Sequence, residues 1–444
     1  MPEGNGENRE TRDWLLSLQG RGWGTTLDGM RRAMQELDNP QNDLRAIHVA
    51  GTNGKGSVCA IASAILQAAG LKVGLYTSPH LMDVRERIMI NNRKIGDKAL
   101  AEITVRARDI LEGDKTPIAT RLTFFEFVTA IGMMHFVEKD VDAAVIEVGF
   151  GGRLDATNVL PSSVAAITQI GLDHTEYLGN TIGAIAAEKA GIIKEDCGVV
   201  SSAGDPSAMD VIRERALSLR CNLVENGKDF HAKNIHASLS GTSFDYQGAR
   251  DLPNMRTNLL GKHQAENVAT AIAACDVFSN REGFKITDGQ IKEGLQKVHW
   301  PGRLDVISRE PLTILDCGHN PPAIRRLVDS LSDLGVNPDT VIFASSKDKD
   351  YGTSSSILFP KAKRLILTKY GAPRSIEPEI LAQLPSARGK PVFLSSDIAE
   401  ALEISKDITP KDEVVLIVGS VFLIGDTISW LRFGKKADFS LAGL

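Results

Sequence analysis

The sequence predicts an α/β protein with two parallel-sheet domains, the first built around a phosphate-binding turn. Three observations predict it. Short apolar runs alternate with longer stretches of helical spacing along most of the chain, the pattern of βαβ units. One of those runs opens into a Gly-rich turn followed by a lysine and a hydroxyl residue. A break rich in Pro and Gly, Lys297-Val298-His299-Trp300-Pro301-Gly302-Arg303, interrupts the alternation and must stop the preceding helix.

In chain order, residues 1–10 read as a polar tail and residues 12–36 as a helical region broken by Gly20-Arg21-Gly22-Trp23-Gly24. Buried parallel strands are predicted at 46–50, 73–76, 143–148, 165–169 and 199–202, with helices at 57–69 and 124–136 between them. Residues 229–256 are more polar and alternate around Thr242–Tyr246, which predicts a small antiparallel excursion, and 261–278 returns to helix. A second series of strands is predicted at 313–316, 341–344, 364–368, 391–394 and 413–418. The apolar run 414–424 is too short to span a bilayer, which takes about 20 residues, and reads as a buried strand entering a turn. The domains expected are 1–298, a hinge at 299–303, and 304–444.

Composition narrows the function classes. With 42% hydrophobic and 24% charged residues, a disordered, collagenous or coiled-coil chain is excluded. The balance of 51 Lys+Arg against 56 Asp+Glu gives a formal charge of -5, so no global positive field exists to grip a nucleic acid. Five scattered cysteines without a CxxC pair point to reduced thiols. No signal-like or membrane-spanning run appears. The expectation is a cytoplasmic monomer with small-molecule partners, no nucleic acid and no membrane.

The sharpest motif is Gly51-Thr52-Asn53-Gly54-Lys55-Gly56-Ser57 after the apolar run Ala46–Ala50. Glycines let amides converge on phosphate oxygens, and the following helix start favours an anion. Lys55 suits the β- and γ-phosphates, and Ser57 suits Mg²⁺. The spacing departs from the standard loop, because Gly56 separates Lys55 from Ser57. The bland alternative is a Gly-rich turn with an exposed lysine. Taken at face value, the motif makes the first domain a P-loop-containing parallel-sheet ATPase domain.

Other polar residues follow apolar strands, where open α/β sheets bind ligands. Ser78 lies in Tyr76-Thr77-Ser78-Pro79-His80, Glu147 ends the run Val145-Ile146-Glu147, and His174 sits in Leu172-Asp173-His174-Thr175. A buried carboxylate needs a cation or a donor, so Glu147 is the leading candidate for an oxygen-ligated Mg²⁺. The competing readings are an ion pair of Glu147 with Arg153 or a lysine, a capping or core His174, and a turn serine at 78. Lys189, in Ala186-Ala187-Glu188-Lys189-Ala190-Gly191, lies among small apolar residues. A buried amine has a lowered pKa and becomes nucleophilic, so it could form a carbamate with carbon dioxide. The competing reading is a lysine snorkelling from a helix.

Together these motifs resemble the folylpolyglutamate synthase and dihydrofolate synthase family of the Mur ligase superfamily, over about residues 25–425. The resemblance also rests on Gly151-Gly152-Arg153-Leu154-Asp155-Ala156-Thr157-Asn158, His263-Gln264-Ala265-Glu266-Asn267, Pro301-Gly302-Arg303, Asp316-Cys317-Gly318-His319-Asn320-Pro321 and Lys347-Asp348-Lys349-Asp350. It implies a Mur ligase-like architecture, with a smaller C-terminal Rossmann-like glutamate-ligase domain, and an ATP-dependent ligase adding L-glutamate to dihydropteroate and to reduced folates through an acyl phosphate. Folylpolyglutamate synthesis alone, a cell-wall amino-acid ligase and a nucleotide switch are the alternatives. The resemblance implies that Ser57, Ser78, Glu147, His174 and a carbamylated Lys189 hold two Mg²⁺, with K⁺ as an optional further ion. It implies that Thr52, Asn53, Gly54, Lys55, Gly56, Ser57, Asn267, Arg303 and Asp316 bind ATP. Lys55, Lys189, Asp316 and His319 would be catalytic. Thr26, Leu27, Asp28, Leu122, Thr123, Phe124, Phe125, Leu154, Asp155 and Ala156 would contact the pterin-bearing substrate. Cys317, where a small Ala is common, and Ser345-Ser346, where a Gly is often seen, depart from the family pattern.

Overall fold

The computed structural model describes residues 6–18, 26–112 and 122–434. The chain forms two main sheets. The first has eight strands: β1 (Ala46–Ala50), β2 (Val73–Tyr76), β3 (Ile88–Ile90), β4 (Arg93–Lys94), β5 (Ala143–Glu147), β6 (Val164–Ile167), β7 (Gly198–Ser201) and β8 (Asn222–Glu225). Three antiparallel strands follow, β9 (His231–Ser238), β10 (Gly241–Gln247) and β11 (Asp251–Thr257). The second main sheet holds β12 (Asp305–Arg309), β13 (Leu312–Asp316), β14 (Thr340–Phe343), β15 (Arg364–Leu367), β16 (Val392–Leu394) and β17 (Val414–Val418).

The first sheet runs β4-β3-β2-β5-β1-β6-β7-β8. It is parallel from β2 to β8, with β3 and β4 turned antiparallel at one edge. β1 and β5 are buried at every position because helices cover both faces, which is why their sequences are continuous apolar runs. The chain leaves β1 to build one side of the sheet and later returns to build the other. β1, between β5 and β6, is therefore the switch point at whose carboxyl end such sheets bind ligands. The second sheet, β12-β13-β17-β14-β15-β16, is parallel except for β12.

Helix boundaries follow local chemistry. Thr123 and Thr287 each form a capping box, with Glu126 and Gln290 respectively. Asp205 and Asn320 cap helices that begin with Pro206 and Pro321. The helix Lys55–Ala68 is buried from Gly56 to Leu66. It is apolar all round because it lies between the sheet and the helices Lys262–Glu282 and Asp288–Lys297. The polar excursion is a three-stranded sheet with Phe244, Tyr246, Leu252 and Met255 turned into the core.

Several expectations need correction. Residues 6–10 open the helix Gly6–Ser17 and are not a tail, while residues 1–5, the patch 20–24 and the end beyond 434 lie outside the described residues. The run 414–424 splits. β17 ends at Val418, Gly419 turns the chain, and Val421 begins the helix Val421–Phe433. Among the described residues no helix is long and apolar enough to cross a membrane.

Gly294 shows how tightly the helices over the phosphate turn are packed. A Cβ there would lie 2.7 Å from Ile65 Cα and 2.9 Å from Ala64 O. Both contacts are backbone, so the helices must separate to admit a methyl. Gly294→Ala should cost about 1–3 kcal/mol, read as a lower urea midpoint by circular dichroism. An unchanged midpoint would mean that this interface yields freely.

Candidate active site

The turn after β1 is held from below by the strand end beside it. Thr52 N and Asn53 N both donate to Gln169 O, at 2.9 and 3.4 Å, and Thr168 Oγ1 donates to Asn53 O at 2.8 Å. The helix Lys55–Ala68 then starts at Gly54, in the left-handed region at φ +90°, without a side-chain cap. Its first-turn amides therefore remain as an anion cradle. Asn267 closes the turn from the helix Lys262–Glu282: a Cβ on Gly54 would sit 2.6 Å from its Oδ1. Trp300 lies on the first helical turn, with Cζ2 2.9 Å from where a Gly56 Cβ would be. Its buried Nε1 has no hydrogen-bond partner among the described residues. A cavity of about 650 Å³ lies along the linker, lined by Trp300, Arg303, Leu260 and Ile307 and by no residue of the turn.

Two amines meet at one carbonyl. Lys55 Nζ donates to Gly51 O at 3.1 Å, and Lys189 Nζ donates to the same oxygen at 2.9 Å. Lys189 does not snorkel, being 4% exposed. Burial, reinforced by Lys55, lowers its pKa to about 7. Its helix, Ile182–Ala190, is strapped by the loop after β5: Arg153 N donates to Glu188 O at 2.7 Å, and Asn158 Nδ2 donates to Gly191 O at 3.1 Å.

Glu147 ends β5 opposite Val49 of β1, beside the turn. Its carboxylate accepts from Ser78 N at 3.2 Å. Burial raises its pKa, while Lys55, the Ser78 amide, Arg303 and Arg87 oppose that rise. The ion pair with Arg153 does not form, because Arg153 pairs with Glu188 at 2.8 Å. Glu147 with the hydroxyls of Ser57 and Ser78 offers the oxygen donors a hard divalent ion prefers. His174, at φ +50°, meets Lys349 Nζ through Nε2 at 3.0 Å and packs edge-on to Phe150. Among the described residues no three His, Cys, Asp or Glu side chains converge on one point; the expected set, with two serines and a lysine in it, is of a different composition.

The second sheet sends its strand ends to the same place. Asp316, at the end of β13, accepts from Leu304 N at 2.9 Å and Gly318 N at 2.7 Å, and burial raises its pKa against the pull of Arg303. Arg303 acts on both Glu147 and Asp316. His319 Nδ1 lies 2.9 Å from Cys317 O. A carbonyl can only accept, so Nδ1 carries the proton and Nε2 is the free lone pair. Burial and Lys349 bring the His319 pKa down to about 4.

The residues expected to contact a pterin gather along one apolar cluster: Leu27, Leu122, Phe124 and Ala156 are buried in it, with Phe125 packed against it. Thr26, Asp28 and Leu154 are exposed beside it. Thr123 and Asp155 are engaged within the chain, Thr123 in its capping box and Asp155 by Phe150 N and by Thr157.

Sequence reasoning missed Asp173, Lys349 and Asn320, whose side chains meet across the cleft. Each lies in a quoted motif, but their meeting depends on how the two sheets face. Trp300, unexplained by sequence, packs on the turn.

The sequence matches the Mur ligase middle domain over residues 49–275 and the Mur ligase, glutamate ligase domain over 302–421. The folylpolyglutamate synthase of Lacticaseibacillus casei is 36% identical over 91% of this chain and 94% of that protein. The dihydrofolate synthase/folylpolyglutamate synthase of Bacillus subtilis is 33% identical over 94% and 97%. The Mycobacterium tuberculosis folylpolyglutamate synthase, solved with ADP and AMPPCP, superposes with a TM-score of 0.85 at 29% identity, covering 93% of this chain and 96% of that one.

Lys189 gives a pH test. Its amine holds a proton to 10.5 when unfolded and to about 7 when folded. Between those values the unfolded state binds more protons, so stability rises with pH. In bicarbonate-free buffer the wild type should gain about 1–3 kcal/mol on Lys189→Met between pH 7 and 9, measured by urea denaturation. Parallel stability profiles would show that the buried amine is charged.

Proposed function

The chain belongs to the folylpolyglutamate synthase/dihydrofolate synthase family of Mur ligases, ATP-dependent acid–amino-acid ligases, and we propose that it adds L-glutamate both to dihydropteroate and to reduced folates. One observation carries the reading. Lys55, from the phosphate turn, and Arg303, at the distal end of the linker, act on the same buried carboxylate, Glu147, so cations from both sides of the linker bear on the place where a phosphoryl group would transfer.

In this reading the first-turn amides and Lys55 hold the ATP phosphates, with Asn267, Arg303 and Asp316 around the rest of the nucleotide. The γ-phosphoryl passes to the substrate carboxylate, giving an acyl phosphate and ADP. The glutamate amine attacks the acyl carbon, the amide bond forms, and phosphate leaves. Catalysis is positioning and charge neutralisation. His319, with Nε2 free, offers an acceptor for the amine's proton. The exposed Thr26, Asp28 and Leu154 and the half-buried Phe125 border the pterin site. The buried members of that set shape its wall.

Ser57, Ser78 and Glu147 would hold Mg²⁺, which would neutralise phosphate charge. His174 and a carbamylated Lys189 would complete a second ion's shell, K⁺ remaining optional. Gly51 O holds the Lys189 amine in place, and its lowered pKa leaves the lone pair that carbon dioxide needs. Residues 1–298 and 304–444 act as two bodies about the hinge 299–303. A cytoplasmic monomer belongs to the same reading; among the described residues no helix is long and apolar enough to cross a membrane.

ADP release with L-glutamate is the direct test. Dihydropteroate and tetrahydrofolate should both support it. Activity with tetrahydrofolate alone would reduce the reading to polyglutamylation, and hydrolysis indifferent to any acceptor would leave a nucleotide switch. Lys55→Ala should cut the rate about 100- to 1000-fold. Glu147→Gln should raise the half-saturating Mg²⁺ roughly tenfold or more, and an unchanged Mg²⁺ titration would remove it from the metal site. With ¹³C-bicarbonate, a carbamate resonance should appear in the wild type and vanish in Lys189→Met.

A further inference from the structure

The proposed reaction leaves Asp173, in the loop after β6, without a role. Its oxygens tie that loop to the second sheet. Oδ2 accepts from Asn320 Nδ2 at 2.8 Å, and Oδ1 lies 3.3 Å from Lys349 Nζ. Neither partner is loose. Asn320 is 2% exposed and caps the helix Pro321–Asp333, its Oδ1 accepting from Ala323 N at 2.9 Å. The amide that serves the cap through its oxygen is thereby aimed at Asp173 through its nitrogen. Lys349 follows β14 in the loop that carries Lys347 and Asp348, and its side chain is 12% exposed against 15% for Asp173. This pair is screened from water, unlike an ordinary surface ion pair. Asp173 Oδ1 also accepts from His174 N at 3.0 Å, so the carboxylate is fixed to its own loop as well.

We propose that Asp173 is a positioning residue for the ligase reaction: it is the catch that holds Asn320 and Lys349 of the second sheet against the phosphate turn when the cleft is closed. The inference rests on the function proposed above. The sign of its charge argues for this role. An anion is what the Lys349 ammonium requires opposite it, and both Asp173 oxygens are taken by the protein's own donors. His174 cannot serve as the catch in the loaded enzyme. A metal held through its Nε2, which lies 3.0 Å from Lys349 Nζ, would displace that contact. Asp173 keeps both of its partners whether or not that nitrogen is taken. Contacts made only in the closed arrangement raise its population by their differential free energy.

Asp173→Asn keeps the shape and an acceptor for Asn320 while removing the charge that faces Lys349. It should lower kcat/KM for L-glutamate roughly tenfold. By solution X-ray scattering it should leave the AMPPCP complex more expanded than the wild-type complex. Asp173→Glu should recover part of both. Lys349→Met should expand the AMPPCP complex in the same way, and the double variant should expand it no further than either single one, because one contact is being removed. An Asp173→Asn complex as compact as the wild type, or expansions that add in the double variant, would overturn the catch. A wild type that binds AMPPCP yet shows no glutamate-dependent ADP release would instead overturn the functional reading, and the scattering comparison would still decide the catch.

Discussion

The burial of one charge organises this molecule. Glu147 is the last residue of a strand whose every position is covered, and it is 5% exposed. An unpaired carboxylate there would cost several kcal/mol. The chain answers with cations from three places: Lys55 from the turn after β1, Arg87 from the segment leading into β3, and Arg303 from the linker. The first two belong to the same sheet and are always near. The third belongs to the other half of the chain, so part of what opposes the cost of burying this carboxylate comes from across the linker. The same arrangement brings Lys55 and Arg303 to the strand ends, where cations favour a triphosphate.

Gly51 O adds a second constraint. Two lysine amines within hydrogen-bond reach of one carbonyl repel one another if both are charged. The more buried one yields, and Lys189 falls to about 7 while sitting 2.9 Å from that oxygen. Carbamylation would turn this weakness to use. It replaces a cation that Lys55 repels with an anion that Lys55 attracts, at a point beside the proposed metal donors. In the proposed metal site a protonated lysine would oppose the ion, whereas a carbamate would bind it.

How much of this was legible depends on the range over which each interaction acts. β1, β2 and the parallel strands β13, β14, β15, β16 and β17 of the second sheet stand where apolar runs predict them, whereas the antiparallel edge strand β12, nowhere fully buried, leaves no such run and is not predicted. The phosphate turn was legible because strand, glycines, lysine and hydroxyl are consecutive. Residues 6–10 look like a tail because they are polar and acidic, although their helix carries Leu15 into the core and Leu18 follows it there. The partner of Glu147 was not legible. Arg153 is near in sequence, yet the loop that carries it is drawn to Glu188, and Arg303 arrives from 156 positions later. Asp173 and Lys349 lay in separate motifs 176 residues apart. Pattern can mark each as polar and following a strand, but only the way the two sheets face makes them partners.

The linker shows how that facing is maintained. Its distal end is bonded to the second sheet: Cys317 N donates to Gly302 O at 2.9 Å, and Leu304 N donates to Asp316. Residues 302–304 must therefore travel with β13. Its proximal end leaves the helix Asp288–Lys297, which packs against the helix of the phosphate turn. Of the proposed hinge 299–303, the stretch tied by neither set of bonds is thus 299–301. Trp300, in the middle of it, lies on Gly56. Rotation about this stretch cannot leave the indole where it is without dragging the first turn of the nucleotide helix. The two halves are in this way coupled through the cradle itself, and a ligand that fixes the cradle restricts the angle at which the second sheet can approach.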